Sequence, residues 1–243
     1  MKVLKFRLCG DNAFFKKPDV NTYLYFTYSN IHKVALLGIL GAIVGYKGYN
    51  QMDKNDKYPE FYEKLKDIKV AIEPKEGSRG DFSKKVQIFN NSVGYASHEQ
   101  GGNLIVKEQW LEKPSWNIYI LIDSEETEKI YDYVTNYKSV FIPYLGKNDH
   151  IANIDEIEIY ESEKVNDEIE IINSLCPKSY VDFDDEVANI NDSPYRYKEN
   201  LPIRLNEKTN MYEFETFIYT NMAIENINDN EIYTVASKNL AFF

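Results

Sequence analysis

At 243 residues the chain has room for one large domain or two small ones, and a hydrophobic content of 43% supplies a core and excludes a disordered protein. Two cysteines, Cys9 and Cys176, with no C-x-x-C spacing, exclude a disulfide scaffold and a cysteine-rich zinc site, and they fit a reducing cytoplasm. The net charge of −11 argues at first against nucleic acid, but residues 1–50 hold 7 Lys/Arg against 2 Asp/Glu while residues 151–243 hold 7 against 20. A basic segment on an acidic body could present a local positive surface, because screening confines the acidic part's influence to roughly 8–10 Å. The alternative is that the acidic third is only a solvated surface.

In chain order, Lys2 to Cys9 alternates Leu4, Phe6 and Leu8 with Lys5 and Arg7, the pattern of a half-buried strand. Charge within this segment argues against a signal peptide. Thr22 to Tyr28, "TYLYFTY", is aromatic and reads as extended. Ser29 or Asn30 then offers an N-cap for a helix through the apolar run Val34 to Val44, ending near Gly45. That run has 11 residues, and a bilayer needs about 20, so no membrane span is expected. Gly38, Gly41 and Gly45 share one face of this helix, where a close backbone, the sheet or an adjoining loop, should pack.

"PEFYEKLK" (Pro59 to Lys66) reads as a short surface helix and Ile68 to Pro74 as a strand. Residues 75–114 form a long excursion, with "KKVQIFNN" extended and "SHEQGGN" a loop. Trp116 to Asp123 is a strand, and Ser124 caps an amphipathic helix with acidic residues in its first turn. Pro143 breaks any regular element after that helix, and His150 to Glu161 alternates as a strand. The order is strand, helix, strand, excursion, strand, helix, strand, which is the α+β, ferredoxin-like (RRM-type) βαββαβ order. It sets residues 1–161 apart from an acidic β-rich region, 162–243. In that region "LPIRL", "MYEFETFIYT" and "EIYTVA" read as strands, forming a subdomain or draping on the first sheet.

The chain lacks G-x-S-x-G, H-E-x-x-H and any paired His/Asp metal cluster. Its three histidines, His32, His98 and His150, lie far apart in sequence. A metal-free ribonuclease needs a base, an acid and a cation, which His32–Lys33 and His98 could supply; a polar surface role is the simpler reading. The glycines of "LGILGAIVG" have neither the order nor the context of a phosphate loop. The helix N-terminus near Ile31 does suit an anion, with His32 and Lys33 beside it. "FFKKPD" sets Lys16 and Lys17 beside Phe14 and Phe15, a pairing that suits the stacked bases and phosphates of single-stranded RNA, or else a core aromatic pair with two solvated lysines.

Two stretches carry a resemblance. The first runs "LKFRLCGDNAFFKKPDVNTYLYFTYSNIHKVALLGILGAIVG", with Gly10, Ala13, Phe15, Lys16 and Lys17, then Thr27 and Tyr28, then Leu37, Gly38, Leu40, Gly41, Ala42 and Gly45. The second is "FIPYLGKNDHIANI", with Pro143, Leu145, Gly146, Lys147 and Ala152. Together they resemble the Cas-five family of RAMP-superfamily proteins in type I CRISPR Cascade complexes, most like its I-B branch. The C-terminal third matches no motif of that family.

The resemblance implies a ferredoxin-like domain with a hairpin thumb near residues 75–114. It implies a cytoplasmic subunit that caps the 5′ handle of the crRNA, contacts the Cascade backbone subunit and helps dock the large subunit. Such complexes read target sequence by guide pairing, while protein reads backbone and shape. The handle is expected against Lys16, Lys17, Tyr28, His32, Lys33, Gly146 and Lys147, with Gly146 letting the protein backbone approach a phosphate and Lys147 pairing with that phosphate. In the I-C branch the family member itself cuts pre-crRNA with Tyr, His and Lys. No such triad aligns here, so binding without catalysis, and without metal or cofactor, is expected.

Overall fold

In the computed structural model, which describes residues 1–19, 22–75, 77–165, 168–229 and 231–243, the alternating segment is strand β1 (Lys2–Cys9). Leu4, Phe6 and Leu8 face the main core and are fully buried. Val3 on the other face is buried as well, among Tyr233, Val235, Leu240 and Phe242 from the end of the chain. Only the middle of that face stays polar: Arg7 makes two hydrogen bonds of 2.7 Å to Asp155, and Lys5 lies 3.6 Å from Glu158.

The remaining elements are β2 (Asn12–Ala13), α1 (Lys33–Val44), α2 (Glu60–Leu65), β3 (Val70–Pro74), β4 (Lys84–Asn90), β5 (Ile105–Glu112), β6 (Ser115–Leu121), α3 (Glu125–Thr135) and β7 (Asn153–Lys164). They continue with β8 (Cys176–Pro177), β9 (Val181–Val187), β10 (Arg196–Leu205), β11 (Tyr212–Thr220), β12 (Met222–Ile227), β13 (Ile232–Val235) and β14 (Lys238–Ala241). The result is a mixed α/β fold, rich in sheet and poor in helix. Its main sheet has the order β14-β13-β7-β1-β6-β3, with α1 joining β1 to β3 and α3 joining β6 to β7. The excursion is a long antiparallel hairpin, β4 on β5, tied at its base to β2. After residue 161 both expected arrangements occur. Strands β13 and β14 extend the main sheet, while β8–β12 form two small sheets of their own.

α1 is apolar all round because it is enclosed all round, lying against α2, α3 and β10, with nine of its twelve residues buried. Its cap is His32, whose Nδ1 accepts the Ala35 amide at 3.2 Å, and not Ser29 or Asn30. Those two are engaged elsewhere: the Ser29 amide donates to Glu199, and Asn30 links the Gly80 carbonyl to the Trp116 indole. α2 is a short helix at the surface, with Glu63 and Lys64 exposed, that buries Phe61, Tyr62 and Leu65 on its other face. It is the close neighbour of the glycine face at Gly41, where a Cβ would stand 2.5 Å from Cβ of Phe61, while the expected adjoining loop is the one after α3, whose Val140 would meet a Cβ on Gly45 at 2.9 Å. Residues Thr22–Tyr28 do not form a strand. They pair one residue at a time, Thr27 with Lys16 on one side and Tyr25 with Glu108 on the other. Among the described residues no helix is long and apolar enough to cross a membrane.

Gly41→Leu is expected to cost about 1–3 kcal/mol in urea unfolding, because the clash is with a side-chain root that cannot swing away. Gly48→Ala, which meets nothing within 4 Å, should move stability by less than about 0.5 kcal/mol.

Candidate nucleic-acid interface

The two resemblance-bearing stretches, about 100 residues apart in sequence, meet in space. The Phe14 amide donates to the Leu145 carbonyl at 3.0 Å. Gly146, at φ +85°, lies so close to Phe14 that an added Cβ would sit 2.0 Å from the Phe14 carbonyl oxygen. The space that the missing side chain leaves at Gly146 is taken by the Phe14 backbone. Around this crossing Lys16, His32, Gly146 and Lys147 line one cavity of 350 Å³, with Glu108 of the hairpin and Tyr212 of β11.

The cations of this cleft differ in how committed they are. Lys16 is exposed and forms no ion pair among the described residues; its ammonium lies 3.9 Å from the centre of the Tyr25 ring. Lys147 is held at 2.8 Å by Glu108, whose carboxylate also accepts the Trp110 indole at 2.7 Å. Its ammonium lies over the Phe89 and Trp110 rings. Lys17 pairs with Glu199 at 2.5 Å, 5.1 Å from the Tyr28 ring. One sequence reading changes here. The acidic body reaches into the basic segment and neutralises part of it, through Asp155, Glu158 and Glu199. Lys16 remains the exposed, uncommitted charge of the cleft.

His32 belongs to the packing. It is buried edge-on to Tyr28 and Tyr212, each 5.3 Å away, and desolvation pushes its pKa down to about 3. With Nδ1 accepting a hydrogen bond, the ring proton lies on Nε2. Tyr28 is also buried, its hydroxyl has no partner among the described residues, and burial raises its pKa well above the usual phenol value. Lys33, adjacent in sequence to His32, lines a different cavity. His98 sits at the far end of the hairpin, and His150 is buried against Trp110, its ring 4.4 Å away. Among the described residues no group of three or more His, Cys, Asp or Glu could hold a metal ion.

Sequence reasoning missed Glu108, Trp110 and Glu199. Glu108 and Trp110 fall on the same face of β5, two residues apart, and that alternation is the signal that could have raised them. Glu199 has no local signal.

The sequence matches no protein-family model. No curated protein matches it. Solved structures do share its fold. A protein of a CRISPR RNA-guided surveillance complex aligns over 93% of this chain and 92% of its own, at 10% identity and a TM-score of 0.53. A CRISPR protein from Archaeoglobus fulgidus aligns over 99% and 98%, at 9% identity and a TM-score of 0.50. The fold is therefore one found among CRISPR-associated proteins.

Because the folded state keeps His32 neutral while the unfolded chain can protonate it, stability should be whole above the ordinary His pKa near 6.5 and fall as pH drops from there toward 3. His32→Asn keeps a capping side chain and removes the titration. Its stability-versus-pH slope between pH 6 and 4 should be shallower than the native one by up to about 1.4 kcal/mol per pH unit.

Proposed function

We propose that this chain is the subunit of a type I Cascade that holds the 5′ handle of crRNA, a member of the Cas-five family that resembles its I-B branch. The observation that carries the reading is the crossing of Phe14 on Leu145–Gly146, which makes one cleft from the two stretches that resemble that family. The fold shared with a surveillance-complex protein supports it. The order β7-β1-β6-β3, with a helix in each crossover, fits a ferredoxin-like domain, and the β4–β5 hairpin fits its thumb.

RNA backbone runs past Lys16, and the ammonium groups of Lys147 and Lys17 donate to phosphate beside, or in exchange for, Glu108 and Glu199. Tyr23 and Phe26 are exposed on the loop beside Lys16 and offer ring faces for bases. His32, Tyr28 and Gly146 shape the cleft from beneath, and residues 1–161 form the RNA-facing part. The hairpin's exposed Val86, Ile88 and Ile105 face the backbone subunit, and the acidic region 162–243 faces protein partners, the large subunit among them.

Catalysis is not part of the reading. A general base near neutral pH is poorly served by a histidine whose pKa is about 3, and His98 and His150 lie at the hairpin end and in the core. The alternative is the metal-independent pre-crRNA endoribonuclease of the same family. Incubation of the purified protein with labelled repeat RNA in EDTA should leave the RNA intact. Site-specific cleavage abolished in His32→Ala or His98→Ala would establish the nuclease instead.

Handle affinity measured against salt tests the binding surface. Lys16→Ala should weaken it and lower the slope of log K against log[salt] by about one. Lys16→Ala with Lys17→Ala should lower both further, and unchanged affinity and slope in the double variant would remove this surface from RNA binding.

A further inference from the structure

α1 begins between two clefts. His32 turns into the Lys16–Lys147 cleft, and Lys33 turns into the other, a cavity of 510 Å³ between α2 and the end of β10. Lys33 is 9% exposed, and its ammonium makes no hydrogen bond or ion pair with any described residue. A lysine that deep normally has a partner, because burying an unpaired ammonium is costly.

The other donors of the cavity are only partly used. Arg204 spends its Nε on Glu213 and keeps its two terminal nitrogens. The Tyr62 hydroxyl accepts the Leu205 amide at 2.7 Å and still has its own proton to give. The first turn of α1 carries no acidic residue, so the positive end of the helix dipole is not offset there. Of the carboxylates lining the cavity, Glu63 is held by Lys66 and Glu207 by Lys57. Asp67 is the remaining one; it favours the charged form of Lys33 without forming an ion pair with it, and Lys69 opposes it.

We propose that the Lys33 cavity is an oxyanion site, separate from the Lys16–Lys147 cleft, that takes a phosphate group. Lys33 supplies the charge, Arg204 a two-pronged contact and Tyr62 a hydroxyl donor, a set suited to the several acceptor oxygens of phosphate. The volume exceeds what a bare ion needs and admits a phosphate ester of nucleotide size. The phosphate has two possible sources, a free nucleoside monophosphate or the backbone of an RNA strand.

The site does not depend on the RNA reading, and its test is kept apart from it. Sulfate, whose charge is constant above pH 4, serves as the probe in calorimetric or NMR titration of the whole chain. Saturable binding is expected, weakened at least ten-fold in Lys33→Met and unchanged in Lys147→Ala. Lys33→Met should fold with undiminished stability, since it replaces a buried ammonium with an apolar side chain. Lys33 titrates at about 8 when the site is empty, and a bound anion holds its proton more tightly. Affinity should therefore be full below pH 8 and fall about ten-fold from pH 7 to pH 9. Adenosine monophosphate and a four-nucleotide RNA with a 5′-hydroxyl, used as competitors, identify the source by which of them displaces sulfate. No binding at 10 mM sulfate, undiminished binding in a folded Lys33→Met, or equal loss in Lys147→Ala would overturn the site.

Discussion

Everything proposed for the RNA-facing surface hangs on one crossing of main chain over main chain. The Phe14 amide reaches the Leu145 carbonyl, and Gly146 takes a left-handed conformation against the Phe14 carbonyl, where no side chain fits. This contact brings the loop after α3 onto the turn after β1. It puts Lys147 within reach of Glu108, midway along the hairpin whose base is paired to β2. Loops seldom hold one another by side chains alone; here the backbones meet directly, and the geometry is as definite as in a sheet.

The second constraint is the enclosure of α1. A helix that is apolar on every side must be covered on every side. The sheet, α3, α2 and β10 supply the cover, with Phe61 pressed onto Gly41. Because β10 comes from the last quarter of the chain, the C-terminal region is part of how the first helix is held. The same packing places Tyr212 on His32 and Arg204 near Lys33, so the two sides of the helix start become two chemically different clefts.

Electrostatics divides the molecule differently from its sequence. The chain looks basic at its start and acidic at its end, yet Arg7 is paired with Asp155 and Lys17 with Glu199. These pairs turn much of the apparent N-terminal charge into internal contacts. Among the N-terminal cations left without an ion pair, Lys16 on its aromatic neighbour and Lys33 in its cavity are the two that line clefts. A local charge of this kind can still meet phosphate on a protein of net charge −11, because screening limits the reach of the rest.

Elements whose signal is local could be read from the order of residues alone. The β1 alternation, the Ser124-capped amphipathic α3 and the span of α1 were all legible, since period, caps and turns are written within a dozen residues, whereas the β4–β5 hairpin was expected only from the family resemblance. The Gly10–Lys17 and Leu145–Lys147 stretches were likewise visible as candidates. Only the tertiary structure decided what those residues face. It made His32 a buried cap in place of Ser29 or Asn30, separated it from Lys33, seated Gly146 on protein backbone, and matched Lys17 and Lys147 with Glu199 and Glu108. The reason is physical: burial and ion pairing are set by partners 39 to 182 residues away, and no local pattern encodes which carboxylate or ring will arrive there.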